Sequence, residues 1–372
     1  MFVLFCCVPQ TLGATEGSHL ESDLIFEAKV VEVIDDGVEL FNDLEAEFQL
    51  LRVQLKTDFE NDQLIVKHGG IPVANFESYQ VGDRVFIKFS KPLAELDLQE
   101  VIDISQANIV TRARYQDLLV IFLIFIALVL IVNRFKGVRS ILSLALSFFV
   151  IFQIVLPMLL KGVDPILAAL VLVLLIIPIS FYLTHGFKKK THVATVATVI
   201  ALLISTLLAM TFISTTHISG LSSEEVGFLS VERPDQINLE GLFLAGIIIG
   251  LLGTLDDVTI TQAGVVFGLK KNKPSLSFRK LYSEAMEIGQ DHISSMVNTL
   301  ILVYTGASLP LLLLFINNPH PLAYVMSQEI VVEEIVRMMI GSTGLIFAAP
   351  LTTFLAVLLA NKEQLSAKLQ VK

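Results

Sequence analysis

The chain has 372 residues, 54% hydrophobic and only 17% charged, and its mean hydropathy is +0.73. A soluble domain of that length needs far less apolar surface, so the composition places the chain among membrane proteins and makes the lipid bilayer its first partner. The formal net charge of -10 gives no basis for a nucleic-acid partner, because the acidic excess gathers on one side of the membrane.

Residues 1–19, beginning "MFVLFCCVPQTLGATEG", pair a short apolar core with small residues and lack a basic start. They read either as the end of a signal sequence or as a short uncleaved anchor. Cys6 and Cys7 are the only cysteines, so cleavage near Ala14 would leave no disulfide, thiol nucleophile or cysteine metal site.

Residues 20–115 read as an extracytoplasmic domain of short strands. In "QLLRVQLKT" Leu51, Val53 and Leu55 alternate with Arg52, Gln54 and Lys56, and in "VGDRVFIKFS" Val85, Ile87 and Phe89 do the same. With "FEAKVVEVIDDGVEL", "DQLIVKHGG" and "EVIDISQANIV" there are about five strands. Turns are expected at Asp36-Gly37 and Gly69-Gly70, and a small barrel of the OB or SH3 type follows from the count.

Residues 116–361 read as a multipass membrane domain, an all-α bundle of about seven transmembrane helices, ahead of a cytoplasmic tail at 362–372. The expected spans are Leu118–Val132, Ile141–Leu160, Pro165–Leu183, Val193–Ile213, Leu242–Leu269, Ile293–Ile316 and Ile335–Ala360. The loops carrying Arg134, Lys136 and Arg139, "HGFKKKTH", "LKKNKPSLSFRKLY" and the tail are basic, and the alternate loops are not. The positive-inside rule then puts the basic loops and the C-terminus in the cytoplasm and the β domain outside a bacterial cytoplasmic membrane. Pro178, Pro310 and Pro350 are expected to kink their spans, Ser and Thr of the fourth span to bond their own backbone, and Arg337 to pair with Glu333.

The fifth span, "IIIGLLGTLDDVTITQAGVVFG", carries two adjacent aspartates in an otherwise uncharged run. Gly246, Gly250, Gly253, Asp257, Thr261, Gly264 and Gly268 recur at helical spacing and define one face. Small residues at this spacing admit a neighbouring helix, so the stripe is expected to pack inward with Asp257 on it and Asp256 to one side. Asp257 then becomes the essential acid, roughly 22 Å from the outer end of the span. The run exceeds a perpendicular crossing, so it tilts, extends past the membrane or breaks near Gly253 to Asp257. The sixth span offers a second polar stripe of Asp291, Ser295, Asn298, Thr305 and Ser308, with His292 and Thr299 beside it. Intramembrane carboxylates cost several kcal/mol unless paired, neutralised or hydrated, and they mark functional sites by default. The expected ion or substrate site is Asp256, Asp257, Thr261, Gln262, Asp291, His292, Asn298 and Thr305, and a bound cation is the only cofactor it suggests.

The segment from Gly250 to Phe315 resembles the most characteristic region of the YibE/F-like family of bacterial multipass membrane proteins. The resemblance is carried by Leu255 to Val258, Thr261, Gln262, Gly289, Asp291 to Ile293, Val297 to Leu300, Tyr304 and Gly306 to Leu313. It extends over roughly residues 110 to 360, and the β domain resembles that of the longer, YibE-type members. It implies a seven-span architecture but no activity; a further copy of the chain or a paired family member is the protein partner expected beside the bilayer.

Three classes of function fit these residues. One is a transporter or channel using the acidic site for a cation, a proton or an ion-coupled substrate. Another is a non-catalytic envelope-assembly factor recruiting partners through its outer domain. The third is an enzyme, such as a polyprenyl-phosphate transferase holding Mg²⁺ on Asp256 and Asp257, but no companion Asp/Asn-rich loop accompanies "LLGTLDD". An intramembrane aspartyl protease fits no better, since Gly253-Thr254-Leu255-Asp256 has Leu255 where a GxGD element has its second glycine.

Overall fold

The computed structural model describes residues 25–56, 63–73, 75–89, 107–232, 237–316 and 319–370. The signal-like segment with Cys6 and Cys7, and the strand ends expected at Thr57, Asp62, Ser90 and 100–106, lie outside the described residues. The chain divides near Leu128 into two compact units.

The first unit contains the strands β1 (Ile25–Phe41), β2 (Leu44–Leu55), β3 (Gln63–Gly69), β4 (Arg84–Phe89) and β5 (Ala107–Arg112). They pair antiparallel in the order β3-β2-β1-β4-β5. All of the expected strand segments are there, but the expected barrel is not: the sheet is open, with no ladder between β3 and β5 among the described residues. Register shifts after Val30 and Val33 bend β1, so the sheet coils over one apolar face without closing. That face buries Val30, Leu51, Val53, Val66, Val85 and Ile87, the residues that alternation assigns to it.

Asp36-Gly37 is not a turn, because both residues sit in the β1–β2 ladder. The hairpin turns instead at Asn42 and Asp43, whose φ angles of 51° and 66° are those a two-residue type I′ connection requires. The Gly69-Gly70 turn is present, with φ of 87° and 82°. Gln49, a buried polar residue, pins the following loop: its Oε1 accepts from Tyr79 N at 2.7 Å and its Nε2 donates to Tyr79 O at 3.3 Å.

His68 stacks on Phe76 with ring centroids 5.0 Å apart, and its Nε2–H donates to Glu77 O at 3.0 Å. Burial pulls its pKa below the ordinary 6.5 and outweighs the Glu77 carbonyl and carboxylate, which act in the opposite sense. The unfolded chain therefore takes up this proton at a higher pH than the folded one. The stability that neutral His68 supplies is complete above 6.5 and is lost as pH falls through the lowered value. Because the sheet has its own core, a fragment spanning residues 22 to 115 is expected to fold alone and to melt lower as pH drops below 6.5. His68→Phe is expected to flatten that slope, and an unchanged profile in calorimetry would show that another group causes it.

The helix α1 (Tyr115–Val150) follows β5 directly. Its start is tied to the sheet by Ala113 N, which donates to Arg84 O at 2.8 Å, and by the Tyr115 hydroxyl, which donates to Glu27 Oε1 at 2.9 Å. At Arg134 the backbone leaves the helical region, with φ 51° and ψ -129°. A Cβ on Gly137 would stand 2.6 Å from Val129 O, an atom that a straight helix would place about 12 Å away along its axis, so the chain turns sharply at Arg134. After α1 come a π-helical segment, Ile151–Val155, which contains Gln153, and α2 (Leu156–Leu160).

The second unit continues with α3 (Pro165–His185), α4 (Lys189–Thr216), α5 (Glu224–Glu232), α6 (Leu239–Asn272), α7 (Phe278–Ala307), α8 (Leu309–Ile316), α9 (Leu322–Met326) and α10 (Glu329–Gln370). Asp164 caps α3 by accepting from Ile166 N at 2.9 Å and Leu167 N at 3.1 Å, with Pro165 at the first helical position. Asn238 caps α6 in the same way through Gly241 N at 3.0 Å. Among the described residues five helical stretches are long and apolar enough to cross a membrane, or six if α7 and α8, bent by 65° beside Pro310, count as one. The two expected spans Leu118–Val132 and Ile141–Leu160 fall within one of these stretches, Tyr115–Leu160. The most buried span is α6, which packs against α3, α4, α7 and α10. It runs unbroken from Leu239 to Asn272, so the break expected near Gly253 to Asp257 is absent.

Candidate functional site

The glycine stripe of α6 does not pack inward. Gly246, Gly250, Gly253, Asp257, Thr261 and Gly268 are all exposed and Gly264 is half-buried. A Cβ at Gly246, Gly253, Gly264 or Gly268 would meet nothing within 4 Å, and at Gly250 only the Tyr304 hydroxyl at 3.7 Å. The opposite sides of α6 hold the contacts, where the larger side chains of Leu251, Leu255, Val258 and Val266 are buried and gain more van der Waals contact with the neighbouring helices. Thr198 and Thr259 hydrogen bond at 2.7 Å across α4 and α6, although Thr195, Ser205 and Thr211 of α4 bond their own helix as expected.

The two aspartates accordingly exchange roles. Asp257 is exposed, whereas Asp256 turns toward α3, where Ser180 Oγ donates to its Oδ2 at 3.2 Å. The other oxygen, Oδ1, is buried and has no hydrogen-bond partner. Both carboxylates line a cavity of about 560 Å³ between α1, α3 and α6. Its polar wall consists of hydroxyls that sequence reasoning passed over: Ser140, Ser143 and Ser147 on α1, and Ser180 and Thr184 on α3, with His185 at one end. Ser143 is only 4% exposed and lines the cavity. The signal was available as spacing, since Ser140, Ser143 and Ser147 recur at i, i+3 and i+7, and Ser180 and Thr184 at i and i+4.

The second stripe, on α7, takes no part in this cavity. Asp291, Asn298 and Thr305 are exposed on a face of α7 away from it, and His292 is half-buried with an unpartnered Nε2. Gln262, also expected to bind ion or substrate, is instead a buried tie among three helices. Its Nε2 donates to Ala285 O on α7 at 2.9 Å and to Thr353 Oγ1 on α10 at 2.7 Å. The expected partner of Arg337 is also corrected: Arg337 pairs with Glu334 at 2.6 Å, and Glu333 is 6% exposed with its buried Oε1 unpartnered.

Two carboxylates and five hydroxyls form an all-oxygen donor set beside a single imidazole, and among the described residues no three His, Cys, Asp or Glu side chains gather as a metal cluster. Hard cations and protons suit such donors, and soft transition metals do not.

Several long apolar helices, most of them packed around α6, define a multipass membrane protein. The chain belongs to the YibE/F-like family: the model of the YibE/F-like protein matches residues 121–362, well over half of the 372 residues. No curated protein matches the chain. No solved structure matches it either.

Proposed function

We propose that the chain is a transporter or channel, not an enzyme, in which Asp256 and Asp257 bind a hard cation or a proton inside the hydroxyl-lined cavity. One observation carries this reading: Asp256 Oδ1 is buried without a partner beside a cavity large enough for a hydrated ion. A carboxylate oxygen left so in a bilayer is costly unless a cation, a proton or water satisfies it. The test is purified protein in vesicles, with flux of Na⁺, K⁺ and Mg²⁺ followed with and without a pH gradient. Movement of none of these ions, nor of protons, would defeat the reading.

The orientation completes the proposal. Tyr115–Leu160 is 46 residues, roughly 69 Å of helix against about 30 Å of hydrocarbon, and it turns at Arg134. Counted as two crossings, with α7 and α8 as one, it brings the bundle to about seven spans. Arg134, Lys136 and Arg139 then share the cytoplasmic side with the later basic loops, and the sheet lies outside. In intact cells an impermeant thiol reagent is expected to label Asp36→Cys and to spare Lys273→Cys, and labelling of both would overturn this topology.

A second reading, an assembly factor that works as an oligomer, is favoured by the uncovered glycine face of α6 and the exposed Asp291 and Asn298 of α7. Cysteine pairs introduced at Gly246 and Gly268 would crosslink between copies in that case.

A further inference from the structure

The turn between α3 and α4, "HGFKKK", carries an aromatic and cationic surface that the cation site does not use. Phe187 is 82% exposed, with its ring stacked on Tyr182 at 4.6 Å between centroids and 8° between planes. A 2.7 Å hydrogen bond between the Tyr182 hydroxyl and His192 Nδ1 fixes the ring beneath it. The apolar ring is therefore held outward by the fold. Lys188 is exposed beside it, and Lys190 is half-buried. Lys136, just past the turn of α1, lies with Lys188 within electrostatic reach of both Lys190 and His185. Lysines from two segments thus stand near His185, which lines the same cavity as Ser140, one helical turn after Lys136, and also feels Asp257.

Such a group of like charges is stabilised by an anion among them, and its position specifies which anion. Because α3 ends at His185 and α4 begins at Lys189, both of them membrane spans, the turn lies at the bilayer boundary. An aromatic ring flanked by lysines at that depth fits lipid, the ring at the acyl boundary and the ammonium groups at phosphate level. We propose that Lys136, Lys188 and Lys190 bind the phosphate of an anionic phospholipid at the mouth of the Asp256–Asp257 cavity, with Phe187 seated against its acyl chains. The bound headgroup also cancels the positive rim that would repel a cation approaching the aspartates. That consequence rests on the cation-site reading, whereas lipid binding stands on the turn alone.

The test uses the full chain in mixed phosphatidylglycerol and phosphatidylcholine nanodiscs, with retained lipid counted by native mass spectrometry. Phosphatidylglycerol is expected to be retained in preference. Lys136→Gln, Lys188→Gln and Lys190→Gln should each weaken that preference by about two- to fivefold, and the triple variant should abolish it. Phe187→Ser should lower retention of both lipids without changing their ratio. A variant carrying Lys271→Gln, Arg279→Gln and Lys280→Gln, basic residues at the other loop, should keep the preference. An undiminished preference in the single and triple variants, or an equal loss in the control variant, would overturn the proposal in favour of general surface charge. Displacement of the lipid by inorganic phosphate as readily as by phosphatidylglycerol would overturn the lipid as ligand. The readout requires no ion flux, so a failed cation site and a failed lipid site give different results.

Discussion

Asp256→Asn is expected to lower cation affinity, and with it flux at limiting cation, by about 10- to 100-fold, the cost of losing one charge-assisted contact. The amide keeps the volume of the side chain and still accepts from Ser180 Oγ, so helix packing should survive while the charge beside the cavity disappears. Asp257→Asn should cost less, because Asp257 is more exposed than Asp256 and the open side of the cavity screens its charge more. Ser143→Ala should give a partial loss that neither membrane abundance nor melting temperature follows, since the change removes a hydroxyl from the cavity wall and keeps the Cβ that packs there. Flux would be measured in vesicles, with the amount of each variant set by blotting. Full flux of Asp256→Asn at normal abundance would remove the carboxylate site and leave the oligomeric assembly factor as the better reading.

Gly289→Ala is expected to destabilise the helical unit by about 1–3 kcal/mol, the usual cost of forcing a methyl group into a filled contact. Its Cβ would stand 2.8 Å from both Nε2 and Oε1 of Gln262 and 3.0 Å from the carbon between them. A free glutamine could swing aside. This one is held by Ala285 O and Thr353 Oγ1, so either α7 shifts or both hydrogen bonds break. In a Gln262→Ala background the same substitution should be nearly neutral, with the difference read as a coupling energy from denaturant unfolding in detergent. An equal cost in both backgrounds would show that Gln262 does not set the distance between α6 and α7.

Much of the architecture was legible one residue at a time. Alternation of Leu51, Val53 and Leu55 with polar neighbours placed β2 and its buried face, and the strands of the sheet stand where period two put them. Long apolar runs located the helical stretches, and Pro310 marked the bend between α7 and α8. Closure of the sheet was not legible, since the bends of β1 after Val30 and Val33 depend on register between strands rather than on the composition of any one of them. The hairpin turn was misplaced for a related reason. Asp36-Gly37 has the better local turn chemistry, but the ladder from Asp35 to Phe41 continues through it and moves the reversal to Asn42 and Asp43.

What the sequence determined by itself is that this chain lives in a bilayer, that its N-terminal segment is β, that its central helix carries two acids, and that these acids share a helix with a stripe of glycines. Each is a property of spacing within one segment, where 3.6 residues per turn or two per pleat is enough. Which of the two acids is half-buried against Ser180 and which is exposed was decided only by the tertiary structure. A helical wheel shows that Asp256 and Asp257 point about 100° apart, but it carries no information about which neighbour covers which side. The choice lay with Leu251, Leu255, Val258 and Val266, whose burial against α3, α4, α7 and α10 rotates α6 so that its glycines face outward. Asp256 is thereby brought to Ser180 and the serines of α1, while Asp291 stays on another helix away from the cavity. Van der Waals packing of the large side chains outweighs the close approach that glycines permit, and that comparison can be made only once all the neighbouring helices are in place.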